Sequence, residues 1–138
     1  PAEEDGEFCL PTLEGGLNFI YLTAPTTDHV RLPRVMEHAS GFVYFVSITG
    51  ITGTREVTAS DVAPHVARIK KFTNLPVCVG FGIRTPKQAA DIARIADGAV
   101  VGSALVDIVA ANVHAPDLPE KVLDLVRKLS AGVRSARN

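Results

Sequence analysis

Four short apolar runs, separated by stretches with helical spacing, constrain the fold of this chain more than any other feature. The runs cover residues 18–22, 42–48, 76–80 and 98–102. Each run is continuously apolar and does not alternate with polar residues, which is typical of parallel strands buried on both faces. The sequence therefore predicts parallel strands that alternate with helices.

The helix signals lie between these runs, and the clearest begins at Thr85. Thr85 is a candidate N-cap, Pro86 suits the first helical position, and Gln88 completes a capping box. The other predicted helices cover residues 28–39, 60–72, 103–111 and 118–134, with the first turn of a further helix at residues 1–5.

Three of these predicted helices have sequence features that bear on their ends. Ser60 is the candidate N-cap of the helix over residues 60–72. Pro33 predicts a break, or two short pieces, within residues 28–39. Pro1 and the carboxylates of residues 3–5 suit the start of a helix, where the dipole is positive.

Two architectures fit this alternation of helices and strands. One is an open, doubly wound sheet, and the other is part of a (β/α)8 barrel. A complete barrel takes about 250 residues. The present chain has 138 residues and room for four β/α units, which is half of a barrel.

Composition excludes several classes of function. The net charge is −1 and no basic run is present, so the sequence does not predict nucleic-acid binding. It contains neither an apolar run of the roughly 18 residues expected of a membrane span nor a signal peptide. The spacing of Cys9 and Cys78 predicts no disulfide framework and no zinc site, which fits a reducing cytoplasm. Cys78 lies in an apolar run, and we expect it to be buried.

Glycines follow the third and fourth apolar runs, at the strand ends where α/β proteins bind their ligands. Gly80-Phe81-Gly82-Ile83 begins at the last residue of the third run, and Gly102-Ser103 begins at the last residue of the fourth. Backbone N–H groups at glycines approach anions closely, and a short helix beginning near Ser103 would direct its positive end at the same anion. The pattern favours a phosphate site, although the glycines would also suit tight turns alone.

The segment after the second run, residues 48–55, is rich in glycine and threonine and is long for a strand-to-helix connection. Long connections of this kind are typical of mobile loops that close over a substrate. An ordinary flexible loop is the alternative.

These segments together resemble the tryptophan synthase α chain, in order and in spacing, over nearly the whole chain. The matching segments are residues 24–27, 41–44 with Ser47, 50–53, 80–83, 97–98 and 101–106. The resemblance implies a TIM (β/α)8 barrel of which residues 1–138 form the C-terminal half, with the four runs as strands five to eight. It also implies cleavage of indole-3-glycerol phosphate to indole and glyceraldehyde 3-phosphate.

The resemblance further implies roles for individual residues. The positions that match the family's phosphate-binding residues are Gly53, Gly82, Gly102 and Ser103, with Phe81 in the same loop. Thr52 matches the threonine of the mobile loop, and Tyr44 matches a tyrosine that lines the site. Ile48 and Thr49 replace the family's usual Arg-Ala pair, which puts the closure of the loop in doubt.

The family's acid–base glutamate and its indole-binding aspartate have no counterpart in this chain. Asp28 and Glu56 lie nearest the strand ends, yet neither is expected to transfer protons. The other carboxylates are expected mainly on solvated helix faces. The histidines are expected at the surface: His29, His38, His65 and His114.

Two functions remain open at this point. The chain is either the phosphate-binding half of a cytoplasmic lyase and inactive alone, or a non-catalytic half-barrel module in which two copies associate. The resemblance implies a β chain partner that carries pyridoxal phosphate, within a heterotetramer, and implies no cofactor in this chain. Another phosphate-binding barrel family is disfavoured by the segments at residues 50–53 and 80–83.

Overall fold

A four-stranded parallel sheet forms the centre of the computed structural model, which describes residues 2–47, 58–80 and 82–137. The strands pair in sequence order, β1-β2-β3-β4. Their bounds are β1 Tyr21–Thr23, β2 Val43–Val46, β3 Val77–Gly80 and β4 Gly98–Val100. All three pairings are parallel, as the continuous apolar runs predict.

Helices alternate with these strands and confirm the predicted β/α units. Their bounds are α1 Cys9–Glu14, α2 Leu32–Met36, α3 Ala59–Ile69, α4 Pro86–Ala93, α5 Ser103–Ala111 and α6 Leu118–Ser135. A 3-10 turn, Ala2–Glu4, precedes α1. None of the helices in the described ranges is long and apolar enough to cross a membrane.

The capping residues are predicted correctly for α4 and wrongly for α3. Thr85 and Gln88 form the expected capping box, in which the Gln88 N–H donates to Thr85 Oγ1 at 3.2 Å. In α3 the N-cap is Thr58 and not Ser60. The reason is Asp61, whose carboxylate lies three residues after Thr58 and accepts its N–H at 3.0 Å.

The N-terminal third departs from the predicted helices in two places. The turn at Ala2–Glu4 does not continue, and the first α-helix begins only at Cys9. Pro33 does not break a long helix. It lies in the first turn of the short α2, where a backbone N–H would have no acceptor within the helix, so proline is tolerated.

The helices cover only one face of the sheet. Four side chains on that face, Val43, Phe45, Val77 and Val79, are fully buried against the helices. On the opposite face Leu22 is 63% exposed. A barrel carries its helices outside the strands in this way, whereas a doubly wound sheet has helices on both faces. The doubly wound alternative is therefore wrong for the described residues, and the uncovered face corresponds to the inner face of a barrel.

The surroundings of Cys78 and His65 differ from those expected from sequence. Cys78 is half-buried on the inner face, where its sulfur occupies the space beside Gly98. Cys9 is the buried cysteine, at 1% exposure. His65 is half-buried and not fully exposed, because its ring stacks on Phe45 with centroids 5.3 Å apart, and burial lowers its pKa.

Asp97 ties together the amino end of the sheet. Its carboxylate accepts the Val77 N–H at 2.8 Å and pairs with the Lys70 ammonium at 2.9 Å. The hydrogen bond from Val77 N–H, followed by the pairing with Lys70, lowers the pKa of Asp97 below its ordinary value of 3.8. The ionised Asp97 carboxylate therefore stabilises the folded state above pH 3.8, and this contribution is lost as the pH falls through the lowered pKa of the folded state.

The Asp97→Asn variant tests this contribution. Asparagine keeps an acceptor for the Val77 N–H but loses the charge, so we expect a lower free energy of unfolding than wild type at neutral pH. The difference should shrink as the pH falls below the ordinary carboxyl pKa. Urea unfolding at a series of pH values measures it, and a difference that stays constant with pH would contradict the assignment.

Candidate functional site

The register of β3 and β4 places the two glycine-containing loops side by side. Gly80 pairs with Val100, and the strands are parallel neighbours. Gly82 and Gly102 each lie two residues beyond that pair, at the carboxyl edge of the sheet. Because neighbouring strands are about 4.8 Å apart, the two loops begin close together.

The first turn of α5 supplies N–H groups at this edge. Leu105 and Val106 donate the first helical hydrogen bonds, both to the Gly102 carbonyl, at 2.9 and 3.1 Å. The N–H groups of Ser103 and Ala104 precede them in the chain and therefore have no carbonyl within the helix to bind. No side chain caps this end of α5, and Ser103 is exposed. Such an end attracts an anion.

The two glycines serve this edge for different reasons. Gly82 has φ of +44°, in the left-handed region that favours glycine. Gly102 has an ordinary φ of −114°, and a Cβ placed there would meet no atom within 4 Å. The packing of the chain therefore does not require glycine at residue 102, and its bare surface leaves room for a ligand.

Tyr44 reaches the same region from β2. Its ring lies over Gly80, so that a Cβ at residue 80 would be only 2.7 Å from Tyr44 Cε2 and would also collide with the hydroxyl oxygen. Sequence reasoning predicted that Tyr44 lines the site but missed the role of Gly80, which leaves the space that the ring occupies.

Two arginines that hold the loops after β3 and β1 were missed from the sequence. Arg84, two residues after Gly82, pairs with Asp107 of α5 at 2.7 Å and so connects the loop after β3 to this helix. The other residue is Arg68 of α3, whose guanidinium donates to the carbonyls of Pro25 at 3.3 Å and Thr27 at 2.8 Å. Arg68 thereby holds the loop after β1 against the helix layer.

Several predicted residues lie outside the described ranges. They are Ile48, Thr49, Thr52, Gly53, Glu56 and Phe81. The predictions made for them from the resemblance therefore stay predictions.

The described inner face carries no carboxylate. Its side chains include Leu22, Tyr44, Val46, Cys78 and Val100.

Asp28 accepts the N–H groups of Val30 and Arg31 at 3.0 and 2.8 Å. The Arg31 bond is the main cause of its lowered pKa, so this carboxylate acts as a turn cap. Across the described ranges no group of three or more His, Cys, Asp or Glu side chains is placed to hold a metal ion.

Among the described carboxylates, Asp5 is an exception to the expectation that most are solvated. Asp5 is 5% exposed, and Tyr21 donates its hydroxyl hydrogen to Asp5 Oδ1. Burial, followed by the hydrogen bond with Asp5, raises the pKa of Tyr21. This pair lies on the helix-covered side, in the small cluster with Ala2, Cys9 and Val35, and it therefore has a structural role.

The parallel sheet and the helices on one of its faces together define an α/β chain of four β/α units from a TIM barrel. Comparison with known proteins agrees. The model of the tryptophan synthase alpha chain family matches residues 1–134. This chain therefore belongs to the tryptophan synthase alpha chain family.

Solved structures support the same relationship. Tryptophan synthase from M. tuberculosis in space group F222 is 38% identical to this chain, with a TM-score of 0.80. The match covers 96% of this chain and 48% of the M. tuberculosis chain. The tryptophan synthase alpha subunit from Legionella pneumophila strain Paris is 30% identical, with a TM-score of 0.84. That match covers 98% of this chain and 49% of the Legionella chain. The chain thus spans about half the length of these relatives.

Proposed function

We propose that this chain forms the phosphate-binding half of a tryptophan synthase alpha-type lyase. The whole barrel would cleave indole-3-glycerol phosphate to indole and glyceraldehyde 3-phosphate in tryptophan biosynthesis. The carbon–carbon bond breaks as the indole ring gains a proton and the glycerol hydroxyl loses one. The observation that carries the proposal is the family match over residues 1–134.

In this proposal the substrate phosphate binds at the carboxyl edge of β3 and β4. Its oxygens accept from the N–H groups at Gly82, Gly102 and Ser103, and the positive end of α5 stabilises the charge. Two features support this assignment: the parallel register that brings the two loops together, and the open space at Gly102. Tyr44 would line the neighbouring part of the substrate site.

The remaining parts of the proposal rest on the resemblance alone. Thr52 would belong to the mobile loop, and Gly53 and Phe81 to the phosphate site. The partner would be a β chain that carries pyridoxal phosphate, in a cytoplasmic heterotetramer. The proton-transferring carboxylates would belong to the other half of the barrel, so the chain alone is proposed to be inactive.

The uncovered inner face favours a second candidate function. Leu22 on this face is 63% exposed, and both β1 and β4 are edge strands of the described sheet. Such edges and apolar faces invite association. Association of two copies of a non-catalytic half-barrel that binds phosphate would cover the inner face and the edge strands of each copy. A dimer by solution mass that binds phosphate without turnover would favour this candidate, whereas robust indole release by the isolated chain would contradict both candidates.

The Ser103→Asp variant tests the phosphate site. A carboxylate in the first turn of α5 repels the dianion, so we expect glycerol 3-phosphate to bind more than about tenfold more weakly. The same carboxylate stabilises the helix dipole by about 0.3–1 kcal/mol, so the melting temperature should not fall. Calorimetric titration and thermal melts measure the two effects.

Ser103→Asn is the matched neutral control, because it has nearly the same shape without the charge. It should lose much less affinity than Ser103→Asp. Equal affinity of wild type and the aspartate variant would place the phosphate elsewhere.

A further inference from the structure

The ion pair between Arg84 and Asp107 joins the loop after β3 to α5, the two segments that flank the proposed phosphate site. Arg84 Nη1 lies 2.7 Å from Asp107 Oδ2, and the side chains are 56% and 58% exposed. Exposed pairs of this kind contribute little to stability, because solvent screens the charges and two long side chains must be ordered.

The position of Asp107 on α5 brings the pair to the first turn of the helix. Asp107 lies four residues after Ser103, so the two side chains share a face about 6 Å apart along the axis. Helical side chains incline towards the N-terminus, which carries the Asp107 carboxylate back over the first turn. The Arg84 guanidinium that meets it therefore lies beside the helix end proposed to bind phosphate.

Arg84 is also fixed from the other side of the site. It follows Gly82 by two residues, and its N–H donates to Gln88 Oε1 at 2.8 Å at the start of α4. Its backbone is thereby anchored while its side chain spans from the loop after β3 to α5. Arg84 thus connects the loop after β3 to the helix whose first turn is proposed to hold the phosphate.

A cation at the positive end of a helix is electrostatically unfavourable unless an anion accompanies it. In the structure Asp107 is that anion. A phosphate at Gly82 and Ser103 would be a stronger partner, because it has a double charge and can accept two parallel N–H bonds from a guanidinium.

We propose that Arg84 is an anion-binding side chain of the phosphate site and that Asp107 is its counter-ion until phosphate arrives. This inference rests on the proposed phosphate site and adds to it a charged residue that favours dianionic substrates. Asp107 then competes with the ligand for Arg84, so the two residues act on affinity in opposite directions.

Titration with glycerol 3-phosphate at about pH 8, where this monoester is dianionic, tests the proposal. Amide chemical shifts of Gly82, Ser103 and Ala104 report binding at the site itself. Arg84→Gln should weaken binding about tenfold, because it removes the cation and leaves Asp107 unpaired. Asp107→Asn should tighten binding about threefold, because it frees Arg84 and removes a repelling charge.

The pair Arg127 and Asp124 on α6 provides a matched control. It has a similar separation, 3.0 Å, and similar exposure, 69% and 64%. Arg127→Gln and Asp124→Asn should leave the affinity unchanged, whereas Arg84→Lys should retain part of it.

The outcomes separate this proposal from its foundation. If Arg84→Gln and Asp107→Asn weaken binding alike, the pair merely clamps the loop to α5 and the proposal is overturned. Unchanged affinity in the Arg84→Gln variant overturns it as well, while leaving the amide site intact. If wild type shows no saturable shifts at Gly82 or Ser103, the phosphate site itself fails.

Discussion

Replacing Gly132 with alanine is expected to lower the free energy of unfolding, although alanine is the better helix former. Gly132 lies inside α6, where it faces the start of α4. A Cβ at residue 132 would collide with the Pro86 carbonyl oxygen and would lie 3.0 Å from the Pro86 carbonyl carbon. These are backbone atoms, so no side-chain rotation relieves the contact and the helices must separate.

The expected size follows from two opposing effects. Overpacking against a rigid backbone costs about 3 kcal/mol, at the upper end of the usual range. The higher helix propensity of alanine offsets about 1 kcal/mol. We therefore expect a net loss of about 2 kcal/mol, measured by urea unfolding followed by far-ultraviolet circular dichroism.

Two controls isolate the cause. Ala131→Gly, at the exposed neighbouring position, should cost about 1 kcal/mol through propensity alone. Pro86→Ala in the Gly132→Ala background should not restore stability, because the carbonyl that collides remains. A gain of stability in Gly132→Ala would show that α4 and α6 are not packed this closely.

The sheet was predictable from the sequence, but its sidedness was not. The run at residues 42–48 is apolar on both faces, so it predicts a buried parallel strand. Nothing in that pattern shows that Phe45 packs under helices while Tyr44 faces the open side. That distinction depends on which face the helices cover, which is a property of the connections and not of the strands.

The proximity of the two glycine-containing loops could be predicted because topology alone brings them together. Parallel neighbouring strands end at one edge, so Gly82 and Gly102 had to be close. The residues that were missed depend on where helices lie relative to one another. Arg84 meets Asp107 and Gly132 meets Pro86 only after the helices have packed, and residue spacing carries no signal for either contact. Arg84 had one weak signal, its place two residues after Gly82 in the glycine-containing loop that follows β3.

The contact of Tyr44 with Gly80 gives the other large expected effect. In Gly80→Ala, the new methyl group would lie 2.7 Å from Tyr44 Cε2 and 2.8 Å from Cζ. The ring must therefore move from its place over β3. We expect the free energy of unfolding to fall by about 1–3 kcal/mol, as for other overpacked sites, and the carboxyl edge of the sheet next to Gly80 to be disturbed.

A double-mutant cycle identifies the ring as the cause. In the Tyr44→Ala background the space above residue 80 is vacant, so Gly80→Ala should then cost less than about 0.5 kcal/mol. Gly102→Ala is the matched glycine control, because no atom lies within 4 Å of a Cβ there. It should change the stability by no more than about 0.5 kcal/mol. If Gly80→Ala costs the same with and without the tyrosine ring, the loss arises from the strand backbone. The conclusion that glycine is needed at residue 80 to leave space for the Tyr44 ring would then be wrong.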